Sequence, residues 1–569
     1  MLLRQSVRAV RPTFLTSSLP FTSILTTTHH IKKRPRSANM SDCQLPNKRA
    51  QYEPKPIVYG MAKNGTPMRI QLDDKEASIC ELLRQVSDFV AAERPDLPRI
   101  ESRIAGGWVR DKLLGKDCHD LDIAVNDMMG YEFAQYVNKC LEKNGYPTRN
   151  IAKIDSNPAK SKHLETATTK LFNIEVDFAN LRTEVYEEDS RIPSAIAFGT
   201  PTEDAYRRDT TINSLFYNIN TCQVEDFTGK GLSDLEQGLI RTPLEPFETF
   251  KDDPLRVLRC VRFASRFNFE LVPEIVDAVK NETIRRALDE KISKERIGNE
   301  LEKMVTGPLP LKAIEMIHDL GLYHIIFTTH AKIVSGTVQD SSIAVRAVGV
   351  VQWLAGHLME ALRPSSKEEM RLLNMASYFL PFSDIITEQK GRHIVGVQDV
   401  LRDSIKAPRS DMTCLGHLFS EYPSFKAAVD SNMQNTISRQ ELGMLIRGSK
   451  ELWTATLKLA LVVDLLKAND TIDWRQPYNV APDQNIHFIC EKYNALITQT
   501  MQYGISDCYK WKPMLDGKKI AQILGIKPGP SMGDLLQQTM KWQLANPEGT
   551  QEECSNMIKA YWEAGQNSS

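Results

Sequence analysis

The stretch RIAGGWVRDKLLGKDCHDLDIAVN, residues 103–126, decides the fold. RIAGG reads as a strand ending in two glycines, WVRDKLLG as a short helix, and HDLDIAVN as a second strand. Gly106 and Gly107 lack a Cβ, so a phosphate chain can approach the backbone where the helix starts, and Arg110 can add a charge-assisted bond. Asp120 and Asp122 are two residues apart on a strand and project from one face. Two carboxylates so placed repel each other unless a counter-charge joins them. Hard divalent cations resolve the conflict, since magnesium is held by one or two carboxylates plus substrate phosphates. The bland alternative for Asp-x-Asp alone is a solvated pair on an edge strand; the GGWVRD segment upstream weighs against it. FNIEVDFANLR (172–182) alternates as a third strand and offers Asp177 as a candidate third metal ligand, or else an exposed strand face.

Two further motifs follow. RRDTTIN (207–213) puts two arginines, an aspartate and an asparagine within two helical turns, with Asp209 and Asn213 four apart on one face. Such a set can hold phosphate and ribose, or cap a salt-bridged surface helix. DDPLRVLRCVRF (252–263) sets an acidic pair and a proline at a helix start. Arg256, Arg259, Arg262 and Arg266 then form one stripe, and Val257, Leu258, Val261 and Ala264 the opposite, apolar side. That density of like charge makes sense opposite a triphosphate or an RNA backbone; a solvated helix face is the alternative.

The chain of 569 residues as a whole is ordinary in composition: 41% hydrophobic, 25% charged, 71 Lys and Arg against 72 Asp and Glu. A collagen-like, mainly disordered or membrane-embedded chain is excluded, and there is no apolar run long enough to span a bilayer. Any RNA contact must use a local basic face. The ten cysteines include no CxxC pair, which argues against a zinc or thioredoxin-like site and for a reducing compartment. His318-Asp319, a pair seen in metal phosphohydrolases, sits in an apolar helical pattern without partners and reads as structural. Residues 1–41 contain no Asp or Glu but carry seven Lys or Arg among many Ser and Thr, the composition of a mitochondrial transit peptide. Initiation at Met40 would yield a nuclear or cytosolic form. KKRPR, from Lys32 to Arg36, is a weak nuclear signal, and residues 42–70 read as a linker. KEASICELLRQVSDFVAAE (75–93) is an amphipathic helix. Beyond about 250 the pattern is helical, with breaks expected at Gly307-Pro308, Pro364, Pro381, Pro408 and Pro423.

In that order, GGWVRD with DLD, RRDTTIN and DDPLRVLR resemble the class II tRNA nucleotidyltransferases, the eukaryotic CCA-adding enzymes and the similar bacterial poly(A) polymerases. The motif-bearing likeness spans roughly 100–305, and LGIKPGPSMGDLLQQTMKWQLANP (524–547) is similar to the C-terminal region of the eukaryotic members. The resemblance implies an α+β head with a palm-like mixed β-sheet (71–240), then an all-α neck (241–310), body (311–440) and tail (441–569). It implies two magnesium (Mg2+) ions on Asp120 and Asp122, and phosphate contacts from Gly106, Gly107, Arg110 and Arg208. Asp209 would lie near the ribose with Asn213 supporting it. Asp253 and Arg256 would be an amino-acid template for CTP and ATP, with Arg259 and Arg262 completing phosphate and base contacts. Asp252 stands where many members have Glu. The stretch 184–206 would be the flexible loop that switches CTP for ATP. The tRNA 3′ end and acceptor arm would be the partner, its body held by the helical half, with Lys518, Lys519 and Lys527 near its phosphates; no membrane is involved. A poly(A) polymerase or a CC- or A-adding enzyme is the alternative, and an inactive tRNA chaperone the alternative of another class.

Overall fold

The computed structural model describes residues 70–569 apart from 119, 155–165, 187–192, 390, 469–471, 481–482, 528 and 567–569. The expected transit peptide 1–41, with Met40, and all but the last residue of the linker 42–70 lie outside the described residues. Helix α1 (Asp74–Glu93) starts at a reciprocal cap: Asp73 accepts the amides of Lys75 and Glu76, and Glu76 accepts that of Asp73. Then come β1 (Ser102–Ala105), α2 (Gly107–Leu113), β2 (Asp120–Val125), α3 (Gly130–Lys143), β3 (Ala152–Ile154), β4 (Thr166–Leu171) and β5 (Ile174–Asn180). Strands β6 (Arg182–Tyr186) and β7 (Pro193–Phe198), helix α4 (Pro201–Tyr206), β8 (Phe216–Asn218), β9 (Gln223–Glu225) and α5 (Gly231–Gln237) complete the head.

Seven strands form one mixed sheet in the order β3-β4-β5-β2-β1-β8-β9. β2 runs antiparallel to β1 and parallel to β5, which places Asp120 opposite Glu175 and Asp122 opposite Asp177. Alternation along β2 sorts its side chains: Leu121, Ile123 and Val125 enter the main core with α1 and α3, while Asp120 and Asp122 point to the other face. That second face has its own small core of Ala105, Ala124, Leu181, Ala205 and Phe216.

Helices α6 (Pro246–Asp252), α7 (Leu255–Phe267), α8 (Pro273–Val279), α9 (Glu282–Glu290) and α10 (Lys294–Val305) follow. Strands β10 (Leu239–Ile240) and β11 (Glu270–Leu271) pair in parallel. Val257, Leu258, Val261 and Ala264 are buried as the helical wheel requires, and α7 ends on the left-handed Asn268. The remainder is largely helical, and none of the described helices is long and apolar enough to cross a membrane. Its last three helices, Gly517–Leu524, Met532–Ala545 and Gln551–Gln566, share a separate core of Leu515, Ile520, Leu535, Cys554 and Ile558. None of the nine cysteines among the described residues forms a disulfide.

Three expectations need correction. The stretch 184–206 is not one long loop: β6 and β7 form an antiparallel hairpin and α4 follows, started by Thr200 and Pro201. Proline is admissible at an edge strand and at a helix start, so Pro193 and Pro201 are compatible with both. The helical half contains a small antiparallel sheet of β12 (Lys332–Ser335), β13 (Ile386–Gln389) and β14 (Arg392–Val395). Pro423 does not break its helix but lies inside Arg409–Met433, where Leu415, Leu418, Phe419, Phe425 and Val429 are buried on both sides of it. That burial outweighs a proline penalty of about 3 kcal/mol.

In the helical half, Glu369 and Lys458 form a pair that is almost wholly buried, at 2.9 Å, and Ser365 donates to the same carboxylate. Burial alone would raise the Glu369 pKa; Lys458 and Ser365 outweigh it and hold it below the usual value. A depressed carboxylate contributes stability above its unfolded pKa and loses it as pH falls through the folded value. Lys458→Met strands that charge and is expected to cost about 3–5 kcal/mol in urea denaturation. The deficit should narrow as pH approaches the free carboxyl's value of about 4.3, because protonation then relieves the unpaired Glu369.

Candidate functional site

A cleft of about 670 Å³ opens between the second face of the head sheet and helices α7 and α10. It gathers Gly106, Gly107, Arg110, Asp120, Asp122, Arg208, Asp209, Asn213, Asp253, Arg256, Arg259 and Arg262 from the three sequence motifs. Asp111, Arg207, Arg266 and Arg296 line it as well.

The carboxylates of Asp120 and Asp122 form an acidic wall that solvent reaches. Desolvation raises the pKa of Asp122. Asp177 and Asp120 add to the rise, while Arg208 opposes it. Two oxygen-donor side chains whose mutual charge is unfavourable suit a hard cation. Asp177 lies beside Asp122 in register, but its carboxylate accepts the Thr168 hydroxyl at 2.5 Å and does not line the cleft. Among the described residues no three His, Cys, Asp or Glu side chains converge closely enough to hold a metal by themselves. An ion on Asp120 and Asp122 would therefore take its remaining ligands from water or substrate phosphate.

The RRDTTIN segment is not the continuous helix expected. α4 ends at Tyr206, Thr210 is extended, and Thr211–Asn213 forms a single 3₁₀ turn. The Asp209 side chain accepts the amide of Thr210 at 2.8 Å and so competes with the helix for it. Asp209 and Asn213 still meet: the Asn213 amide donates to Asp209 at 2.9 Å. Asp209 also accepts Arg259 at 2.6 Å. Burial pulls the Asp209 pKa up, but Arg259 and Asn213 hold it far below the ordinary value, and Asp209 in turn raises that of Arg259.

Gly106 adopts φ +63°, a conformation that side-chain-bearing residues rarely take. A Cβ there would lie 2.8 Å from Nη1 of Arg208 and 3.1 Å from the Asn213 carbonyl. Gly106 thus admits Arg208 as well as any ligand. Gly107 has no such crowding. Arg110, expected to reach for phosphate, is buried and engaged: it donates to Asp111 at 2.8 Å and to Asn213, and lies 4.6 Å from the Phe267 ring centre. Burial lowers its pKa.

The arginine stripe of α7 is real, but the protein itself supplies counter-charges. Arg259 meets Asp209, Arg262 meets Glu300, and Arg266 meets Asp111 at 3.1 Å. Arg256 donates to the Arg207 carbonyl at 2.8 Å. Asp253 accepts the Leu255 amide at 3.2 Å and a two-pronged contact from Arg296 at 3.1 and 2.6 Å. Arg296 and Glu300 were missed because they lie 43 and 38 positions from their partners. Asp204, which pairs with both Arg207 and Arg208, was missed although its spacing to them, three and four residues, is a helix-pair signal. His318 bonds Ser341 at 2.7 Å and Asp319 pairs with Arg475 at 3.1 Å, which accounts for that pair structurally. Lys518, Lys519 and Lys527 are exposed.

Residues 102–241 match the family model described as a poly A polymerase head domain, and 268–333 one described as a probable RNA and SrmB-binding site of polymerase A. The chain is 37% identical to a mitochondrial CCA tRNA nucleotidyltransferase of Saccharomyces cerevisiae, over 86% of this chain and 94% of that one. It is 36% identical to a protein of the same name from Candida glabrata, over 86% of this chain and 96% of that one. The fold is similar to that of a Thermotoga maritima CCA-adding enzyme solved with tRNA, with a TM-score of 0.53 at 20% identity over 86% of this chain and 96% of that one.

Gly106→Ala is expected to lower stability by about 1–3 kcal/mol through its backbone conformation. The same change should push Arg208 from its place, so that nucleotide triphosphate affinity, read by equilibrium binding, falls more than in Gly107→Ala.

Proposed function

Because the chain belongs to the CCA tRNA nucleotidyltransferase family, we propose that it adds C, C and A to the 3′ end of tRNA from CTP and ATP without a nucleic-acid template. The observation that carries this reading is the placement of Asp120 and Asp122 in one cleft with Asp253 and Arg256. In the reaction the terminal tRNA hydroxyl attacks the α-phosphate and pyrophosphate leaves. Asp120 and Asp122 would hold the two magnesium ions, which supply charge stabilisation at the attacking and leaving oxygens.

The other roles follow from what each side chain has left to offer. Of the five N–H donors of Arg208, Asp204 and the Asn213 carbonyl occupy three, so two remain for the triphosphate. Asp253 has about four acceptor sites, and Leu255 and Arg296 take three, which leaves one for a base amino group. C and A both present an amino donor beside a ring-nitrogen acceptor, which suits Asp253 and Arg256. G and U present an oxygen to Asp253 instead, at a cost of about 1–3 kcal/mol for the unmade bond. Asp209 and Asn213 would support the ribose, Gly106, Gly107 and Arg110 would form the wall behind the phosphates, and Arg259 and Arg262 would complete it. The division into head (71–240), neck, body and tail gives the tail and its exposed lysines to the tRNA body, with the acceptor arm led into the cleft. Relatives named mitochondrial and the acid-free residues 1–41 support import into mitochondria, with a nuclear or cytosolic form begun at Met40.

The test is incubation with tRNA lacking its 3′ end, magnesium and labelled CTP and ATP. Extension is expected to stop after CCA; a long run of A would identify a poly(A) polymerase, CC or A alone a partial enzyme, and no extension an RNA-binding protein without activity. Asp120→Ala should reduce incorporation by roughly a thousandfold or more, the equivalent of several kcal/mol, while tRNA affinity and its steep salt dependence persist.

A further inference from the structure

Asp204 lies in α4, and its side chain is 1% exposed. It divides its carboxylate between two neighbours. Oδ1 accepts Nε of Arg207 at 2.8 Å, and Oδ2 accepts Nε and Nη2 of Arg208 at 3.0 and 2.8 Å. Each arginine leads to a different part of the cleft. Arg208 lines the cleft together with Asp120 and Asp122. The main-chain carbonyl of Arg207 accepts Nη2 of Arg256 at 2.8 Å. Asp204 itself does not line the cleft. A carboxylate held by two guanidiniums fixes both in plane and direction, which a single hydrogen bond to either would not do.

We propose that Asp204 is a positioning residue for nucleotide selection, which aims Arg208 at the triphosphate and, through the backbone of Arg207, sets Arg256 against the base. This rests on the roles given above to Arg208 and Arg256. One carboxylate then ties phosphate binding to base reading. A nucleotide with the wrong base loses the contact to Arg256, and the same tether transmits that strain to the arginine that grips its phosphates.

The experiment compares the purified full chain with Asp204→Asn, Arg208→Lys and the double variant, using trimmed tRNA and CTP, ATP or GTP. Asp204→Asn is expected to raise KM for CTP and ATP roughly tenfold, as the loss of a charge-assisted bond implies. It should also reduce the kcat/KM preference for ATP over GTP, with KM for tRNA near wild type. In the Arg208→Lys background, Asp204→Asn should add little further loss of CTP affinity. A folded Asp204→Asn protein with unchanged nucleotide KM and unchanged preference would overturn the inference, and so would fully multiplicative losses in the double variant. Should Asp204→Asn fail to fold, Asp204→Glu serves the same test: it keeps the charge but moves the arginines by a methylene, and unaltered KM and preference would count against the proposal. An Arg208→Lys enzyme with normal nucleotide KM would overturn both the role of Arg208 and this inference. An effect of Arg208→Lys without one of Asp204→Asn overturns this inference alone.

Discussion

Eight arginines line a single cleft, and their mutual repulsion is the constraint around which the surrounding structure is built. Arg110 and Arg266 share Asp111, Arg207 and Arg208 share Asp204, Arg259 takes Asp209, Arg262 takes Glu300 and Arg296 takes Asp253. Arg259–Asp209 and Arg266–Asp111 join α7 to the head, and Arg262–Glu300 and Arg296–Asp253 join α10 to α7 and the segment that precedes it. Asp120 and Asp122 line the same cleft and have no salt bridge to any of the eight arginines.

The aromatic packing reinforces the same boundary. Phe263 and Phe267 stack on one another from α7 at 6.2 Å and present their faces to Arg110, which comes from α2. A buried guanidinium between rings and a carboxylate keeps its charge at the cost of mobility. This explains why a residue that reads as a phosphate ligand serves in the folded chain as a rivet between two segments.

What was legible in the sequence was whatever depended on short-range period. The DLD pair follows from strand alternation, and the α7 stripe from a turn of 3.6 residues; the three strands read from 103–126 and 172–182 stand where expected. What escaped was of two kinds. Arg296 and Glu300 acquire their importance only when α10 folds back on α7, and no local spacing announces a partner so far away. The short strands KIVS, ITEQ and RHIV, four residues each, are too brief to display an alternation, and the prolines near 193 and 201 mimic a loop while standing at tolerated positions. Asp204 stands at helix-pair spacing from Arg207 and Arg208, a spacing that ordinary surface ion pairs share, so the pattern alone does not mark it as part of the site.

The small separate core under the last three helices has a consequence for how the molecule yields to heat. A handful of buried residues, Leu515, Ile520, Leu535, Cys554 and Ile558 among them, makes a weaker cooperative unit than the extensive interior of the rest. Fraying would begin there, and with the tRNA-holding role proposed for these helices the enzyme would lose its hold on the far end of a long substrate while its chemistry stayed intact. Activity on a short mimic of the acceptor end would then outlast activity on a complete tRNA as temperature climbs.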